Sequence, residues 1–262
     1  MSTTKPTPMP SVSKPQAWRA LAALCLGFFM VLMDQTIVAV ATPEIMANFD
    51  TEFDQVVWVT SIYLLCMVVP LLFTGRLGDR FGQARMFQLG ISVFVVAALA
   101  ASLAPNLTVL LIARAVQGLG AAILTPQTMA VINRIFPQDA RGPALGVWGA
   151  VGSVASLVGP VLGGFIISTF GWRGVFVLHL PLGIAALVLS ALWVPKLPTY
   201  ARSIDKLSVV VTLVGMTSAV IAIQQGPGLG WPWWTFVLLI GGIGLIVWFV
   251  RLQATASKRG TE

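Results

Sequence analysis

Arg114 and Gln117 stand inside an otherwise apolar run, 107 to 128, and Asp34 stands inside another, 18 to 41. A charge near the middle of a membrane helix costs about 2.5–3.5 kcal/mol on insertion scales, so it persists where it meets a partner or a water-filled cavity. Asp34 is the only acid inside any other apolar run, which makes it the natural partner of Arg114. Such a pair can do one of two things. It can lock two helices together statically, or the carboxylate can take up and release a proton and so switch the pairing.

The two charges lie at the same depth. Asp34 is seven residues before the end of the first run near Ala41, and Arg114 is seven residues after the start of its own at Leu107. At 1.5 Å rise per residue both sit roughly 10 Å below one boundary, and they meet if the two helices are neighbours. His179 lies seven residues after Trp172, at a similar depth. Its unperturbed pKa near 6.5 suits a proton carrier. The preferred expectation is plainer: the imidazole bonds backbone near Pro181, whose missing N–H leaves a carbonyl one turn earlier without a donor.

The elements that carry these residues are membrane helices. Hydrophobic residues make up 57% of the 262, charged residues 10%, and the mean hydropathy is +0.89. These values exclude a folded soluble domain and set the membrane class. About twenty apolar residues cross a bilayer, and eight stretches qualify: 18 to 41, 56 to 74, 84 to 103, 107 to 128, 144 to 168, 174 to 194, 207 to 224 and 235 to 251. The fold class expected is an all-α polytopic membrane protein with a six-helix bundle plus two additional transmembrane helices. The organisation is a flexible tail (1–17), the bundle (18–195), a loop (196–206), two linker helices (207–251) and a second tail (252–262). The first run could also be read as a signal peptide with a small-x-small site at Ala39-Val40-Ala41, but seven further spans follow it.

Fourteen of the sixteen Lys and Arg residues fall on one side of these spans; the exceptions are Arg173 and the intramembrane Arg114. Cytoplasmic flanks carry that excess, so both termini are expected in the cytoplasm of a cell in whose plasma membrane the chain resides. The opposite side is marked by Glu44, Asp50, Glu52 and Asp54, and by Trp172, Trp231, Trp233 and Trp234 as interface anchors. The net charge of +7 is thus accounted for by loops, and no nucleic-acid partner is implied. Cys25 and Cys66 lack zinc or disulfide spacing and read as small core residues. No metal-ligand cluster, Ser/His/Asp set or nucleotide loop suggests an enzyme.

Three further motifs carry a resemblance. Between the second and third spans lie Gly75, Gly78, Asp79, Arg80, Gly82 and Arg85, a tight turn in which Asp79 is expected to cap the next helix while Arg80 and Arg85 face the cytoplasm. The loop resembles motif A of the major facilitator superfamily, with Gln83 and Ala84 where that family usually has basic residues. The run from Arg114 to Ala122 resembles motif B, whose arginine is linked to proton transfer in the family. The run Ala155 to Gly164, with Gly159, Pro160, Gly163 and Gly164, resembles motif C, the antiporter motif associated with export. Gly146, Gly149, Gly152, Gly159 and Gly163 permit close helix contact, and Pro160 removes a backbone donor and favours a bend. The stretch from Leu32 to Ile45 is similar to the first helix of the fourteen-helix drug:proton antiporter branch, which includes multidrug efflux pumps.

The resemblance implies proton-coupled efflux of drugs or other small amphipathic molecules, driven by the proton gradient without a cofactor. Asp34 and Arg114 would couple protons, and Gln35, Gln117, Met30 and Met33 would line a substrate cavity with polar contacts and an adaptable apolar wall. It implies two six-helix bundles, of which this sequence holds the first. The chain is therefore expected to act as an N-terminal half, through a homodimer or a complementary C-terminal half, or to be an inactive or regulatory half-transporter. Its partners would be the lipid bilayer, protons and a small-molecule substrate.

Overall fold

The computed structural model describes residues 12–199 and 206–258. Ten helices run in the order α1 (Lys14–Phe49), α2 (Phe53–Val56), α3 (Trp58–Val68), α4 (Leu71–Phe81), α5 (Gln83–Ser102), α6 (Leu107–Ile135), α7 (Gln138–Val177), α8 (His179–Trp193), α9 (Lys206–Gln225) and α10 (Trp233–Lys258), with no strand among the described residues. The expectations for 1–11, for 200–205 of the loop 196–206 and for 259–262 lie outside the described residues. Four helical stretches are long and apolar enough to cross a membrane, five if the bent pair Phe53–Val68 and Phe73–Phe81 counts as one span. The described apolar parts of the two linker helices, Leu213–Gln225 and Trp233–Trp248, fall short of that length.

Local chemistry sets the boundaries. Asn106 caps α6, its side chain accepting from the Val109 N–H at 2.9 Å. Pro137 ends that helix by pushing Phe136 into extended geometry. The expected span 56 to 74 is instead broken, because Pro70 cannot donate: α3 stops at Val68, α4 restarts at Leu71, and the two halves bend by 53°. Gly82, at φ +98°, turns the chain from α4 into α5.

The longest stretch, from α7 through α8, doubles back. Gly152 lies against Phe28 and Leu32, Gly159 against Met33 and Thr36, Gly163 against Ile37 and Val40, and Gly171 beside Glu44, so α7 climbs parallel to α1. Gly183 then returns to Met30, so α8 descends along the same helix. The reversal is at Gly171 (φ 71°, ψ 176°), a conformation open essentially to glycine alone. Helix α7 continues through Pro160, and the break falls eleven residues later. Gly171→Ala is expected to cost about 1–3 kcal/mol, read as a lowered unfolding midpoint of the purified protein. An unchanged midpoint would mean the reversal does not need this backbone conformation.

Two apolar clusters form the interior. One gathers Ala17 to Val31 of α1 with Phe87, Phe94, Ala121, Leu124 and Ala186, and the other gathers Ile37 to Ile45 with Leu110, Ala113, Trp172, Val175 and Phe176. Trp172 corrects an expectation: it is no interface anchor but is 2% exposed and edge-on to both Phe49 and Phe176. Trp231 and Trp233 are exposed. Cys25 is buried and Cys66 half-buried. Lipid tails give apolar helices little reason to associate, so close backbone approach matters. Gly90 of α5 and Gly120 of α6 provide it: a Cβ on Gly90 would stand 2.7 Å from the Leu124 nitrogen, and one on Gly120 2.7 Å from that of Phe94. Gly215 and Gly242 join α9 to α10 in the same way, and Gln224 of α9 bonds to Ser61 of α3.

Candidate functional site

Between the two apolar clusters lies a polar layer without solvent exposure. Helix α1 contributes Asp34, α6 contributes Arg114 and Gln117 one turn apart, and α8 contributes His179, all at 0% exposure. Arg114 Nη1 donates to both carboxylate oxygens of Asp34, at 2.9 Å and 2.7 Å, and to Gln117 Oε1 at 2.8 Å. Gln117 Nε2 donates to Asp34 Oδ1 at 3.1 Å, closing a ring of three side chains. Arg114 Nε donates to the Val59 carbonyl of α3 at 3.0 Å. The guanidinium carbon sits 4.2 Å from the centre of the Tyr63 ring and 5.7 Å from that of Phe176. Tyr63 in turn donates its hydroxyl to the Val31 carbonyl at 3.3 Å. An ion pair taken out of water is tolerated only when further bonds and a favourable surround offset the desolvation of both charges.

Sequence reasoning paired Asp34 with Arg114, and the structure brings them together with Gln117. It missed the Val59 carbonyl and the Tyr63 ring. The hint for Tyr63 was an aromatic with a polar tip in the middle of an apolar run. His179 meets part of its expectation: backbone carbonyls are its neighbours, those of Val175 and Phe176. Neither ring nitrogen has a hydrogen-bond partner, the carbonyls of Val175 and Phe176 lie near without completing a bond, and Nε2 points at Asp34 Oδ1, 3.5 Å away. The ring lies where α8 packs against α1 and α5, which brings it to Asp34 and Phe94.

Three expected cavity residues are also corrected. Met30 and Met33 are fully buried, Met30 against Gly183 and Met33 where α1 meets Gly159, and Gln117 belongs to the ionic ring. These positions face inward because α1 is enclosed by α6, α7 and α8. Gln35 is half-buried, with its amide 3.7 Å from Met67 Sδ.

A second polar cluster forms at the other end of α6. Asp79 does not cap α5. It lies in the last turn of α4, where it accepts from Gln83 Nε2 and from Arg134 Nη2, each at 2.9 Å. Arg134 also donates to Gln83 Oε1 and to the Pro198 carbonyl, each at 3.0 Å. Gln83, a departure from the resembled motif, thus bonds both charged partners. Arg80 and Arg85 are exposed. Gly78 is required by Gln127, whose side chain fills the space a Cβ would take, whereas Gly75 meets only Pro126 at 3.7 Å. In the run resembling motif C, Gly159 and Gly163 pack on α1, but Gly164 faces open space, as do Gly146 and Gly149.

Comparison with known proteins agrees with this architecture. The family model described as Major Facilitator Superfamily matches residues 24–260. An uncharacterized MFS-type transporter of Mycobacterium tuberculosis is 46% identical over 241 residues, covering 92% of this chain and 42% of the relative. The riboflavin transporter RibZ of Clostridioides difficile is 36% identical over 181 residues, 69% of this chain and 40% of the relative. The multidrug resistance protein Stp of M. tuberculosis is 34% identical over 237 residues, 88% of this chain and 44% of the relative. The chain spans less than half the length of these relatives. The crystal structure of the POT family transporter PepTSo shares the fold with a TM-score of 0.66 at 16% identity, covering 92% of this chain and 55% of that one. A membrane-embedded helical bundle, its matched residues and these relatives together make the chain a member of the Major Facilitator Superfamily.

Proposed function

We propose that the chain supplies the N-terminal half of a proton-coupled exporter of drugs or other small amphipathic molecules. In this reading it crosses the plasma membrane eight times with both termini in the cytoplasm, uses the proton gradient and needs no cofactor. The observation that carries it is the Asp34–Arg114 pair, joined across α1 and α6 at zero exposure. A proton on Asp34 cancels the charge that Arg114 Nη1 bridges, loosening α1 from α6. Antiport then requires that proton and substrate favour different states of the bundle. Similarity to a multidrug resistance protein supports efflux over uptake. A homodimer or a complementary C-terminal half would provide the remaining wall of the transport path, toward which Gln35 offers a polar contact. The second reading is an inactive or regulatory half-transporter that inserts in the membrane and needs a partner half.

Dye efflux from cells expressing this chain, with and without an uncoupler, separates the two. The expected result is uncoupler-sensitive efflux abolished by Asp34→Asn at unchanged membrane level, with riboflavin as a competitor because one relative carries that name. Efflux retained in Asp34→Asn removes Asp34 from coupling. A well-inserted chain with no efflux favours the second reading.

A further inference from the structure

Resting on the reading that the buried layer handles protons, we propose that His179 is its second proton-binding group, holding the proton as an imidazolium while the Asp34–Arg114 pair stays closed. A neutral imidazole has one N–H donor and one acceptor lone pair. The polar atoms that face this ring from its neighbours are acceptors: Asp34 Oδ1 at 3.5 Å from α1, and the Val175 and Phe176 carbonyls from α7. Helix α5 places the apolar Phe94 ring 5.5 Å away. Among the described residues the cation facing the site is Arg114 of α6, whose Nη1 and Nε are spent on Asp34, Gln117 and Val59 and whose Nη2 has no partner. A neutral ring therefore turns a lone pair toward oxygen, while the doubly protonated ring meets these acceptors with two donors. Two unpartnered ring nitrogens at 0% exposure call for an explanation, because an unsatisfied buried polar group is costly.

Charge decides where a proton is best held. With the proton on Asp34 the layer holds a neutral acid, and Arg114 is left as a buried cation without its counter-ion. With the proton on His179 the carboxylate lies between two cations and keeps the guanidinium bonds. The net charge of the layer is the same in both states. Passing the proton from Asp34 to His179 breaks the carboxyl O–H bond and forms an N–H bond at Nε2, giving carboxylate and imidazolium. The reverse step, as α1 moves from α6, returns it to Asp34.

The sequence contains a single histidine, so histidine labelling reports this residue alone. The intact chain would be labelled with 15N-histidine, purified through a histidine-free tag and placed in lipid nanodiscs. Imidazole 15N spectra would then be recorded from about pH 5 to 9, a range bracketing the ordinary histidine titration. The expected result is a reversible imidazolium population in the unaltered chain, lost at the same pH in Asp34→Asn. A neutral ring of one fixed tautomer throughout the range overturns the proposal, and this needs no variant. An imidazolium population unchanged by Asp34→Asn overturns it too. The spectra do not depend on transport: a chain without efflux whose ring titrates and responds to Asp34 loses the exporter reading and keeps His179, and active efflux with a silent ring does the reverse.

Discussion

Arg114→Met alone is expected to lower the unfolding free energy by about 3–5 kcal/mol, the cost of leaving one buried charge without its partner. The carboxylate of Asp34, at 0% exposure, would keep only the Gln117 amide as donor. The Tyr63 ring and the Val59 carbonyl would lose the cation they surround. The double variant Asp34→Leu with Arg114→Met should recover most of that loss, because a pair replaced by apolar groups of similar volume is often neutral or better. Denaturant titration of the detergent-purified protein measures both. If the double variant were no more stable than the single one, the pair would matter through something other than its mutual charge.

Gly118→Val is the second large effect. Gly118 lies on α6 one residue past Gln117, and a Cβ there would overlap the Tyr63 carbonyl oxygen and stand 3.0 Å from Cys66 Cβ. Backbone cannot yield as a side-chain tip can, so α3 must move away from α6, taking Tyr63 off Arg114. Overpacking of this kind costs about 1–3 kcal/mol. The contrast is Gly149→Ala on α7, where nothing lies within 4 Å. It should be neutral or stabilising by up to about 1 kcal/mol through the better helix propensity of alanine. Unfolding midpoints of the two variants side by side test the claim, and equal losses would mean that contact geometry is not what separates these glycines.

What could be read in the sequence was whatever depends on distance along a helix. A fixed rise per residue put Asp34 and Arg114 at one level before any helix was placed, and hydropathy located the runs that carry them. Rotation about each helix was harder. Met30 and Met33 lie just before Asp34 in sequence, yet only tertiary neighbours decide that they face Gly183 and Gly159 rather than an open cavity. Likewise Asp79 is a sound capping residue by type, but Arg134, 55 positions away, claims its side chain. Pro70 marks a break inside a stretch that hydropathy alone reads as continuous, since apolar content measures length and not straightness. Gly146, Gly149 and Gly164 match the contact pattern of Gly159 and Gly163 by type, and only the seating of α1 separates the packed glycines from the open ones.

The two apolar clusters above and below the polar layer also act as electrical insulation. With little polarisable material on either side, a transmembrane voltage falls across the packed residues rather than short-circuiting through water at the pair. A unit charge crossing the full potential exchanges about 2.3 kcal/mol per 100 mV. By the rise per residue, Asp34 and Arg114 are expected about a third of the way through a hydrocarbon core of about 30 Å, so a proton reaching them from the nearer face would exchange ~0.8 kcal/mol per 100 mV. If, as proposed, this layer takes up a proton, its occupancy would follow membrane potential as well as pH, even where the two bulk solutions share the same pH.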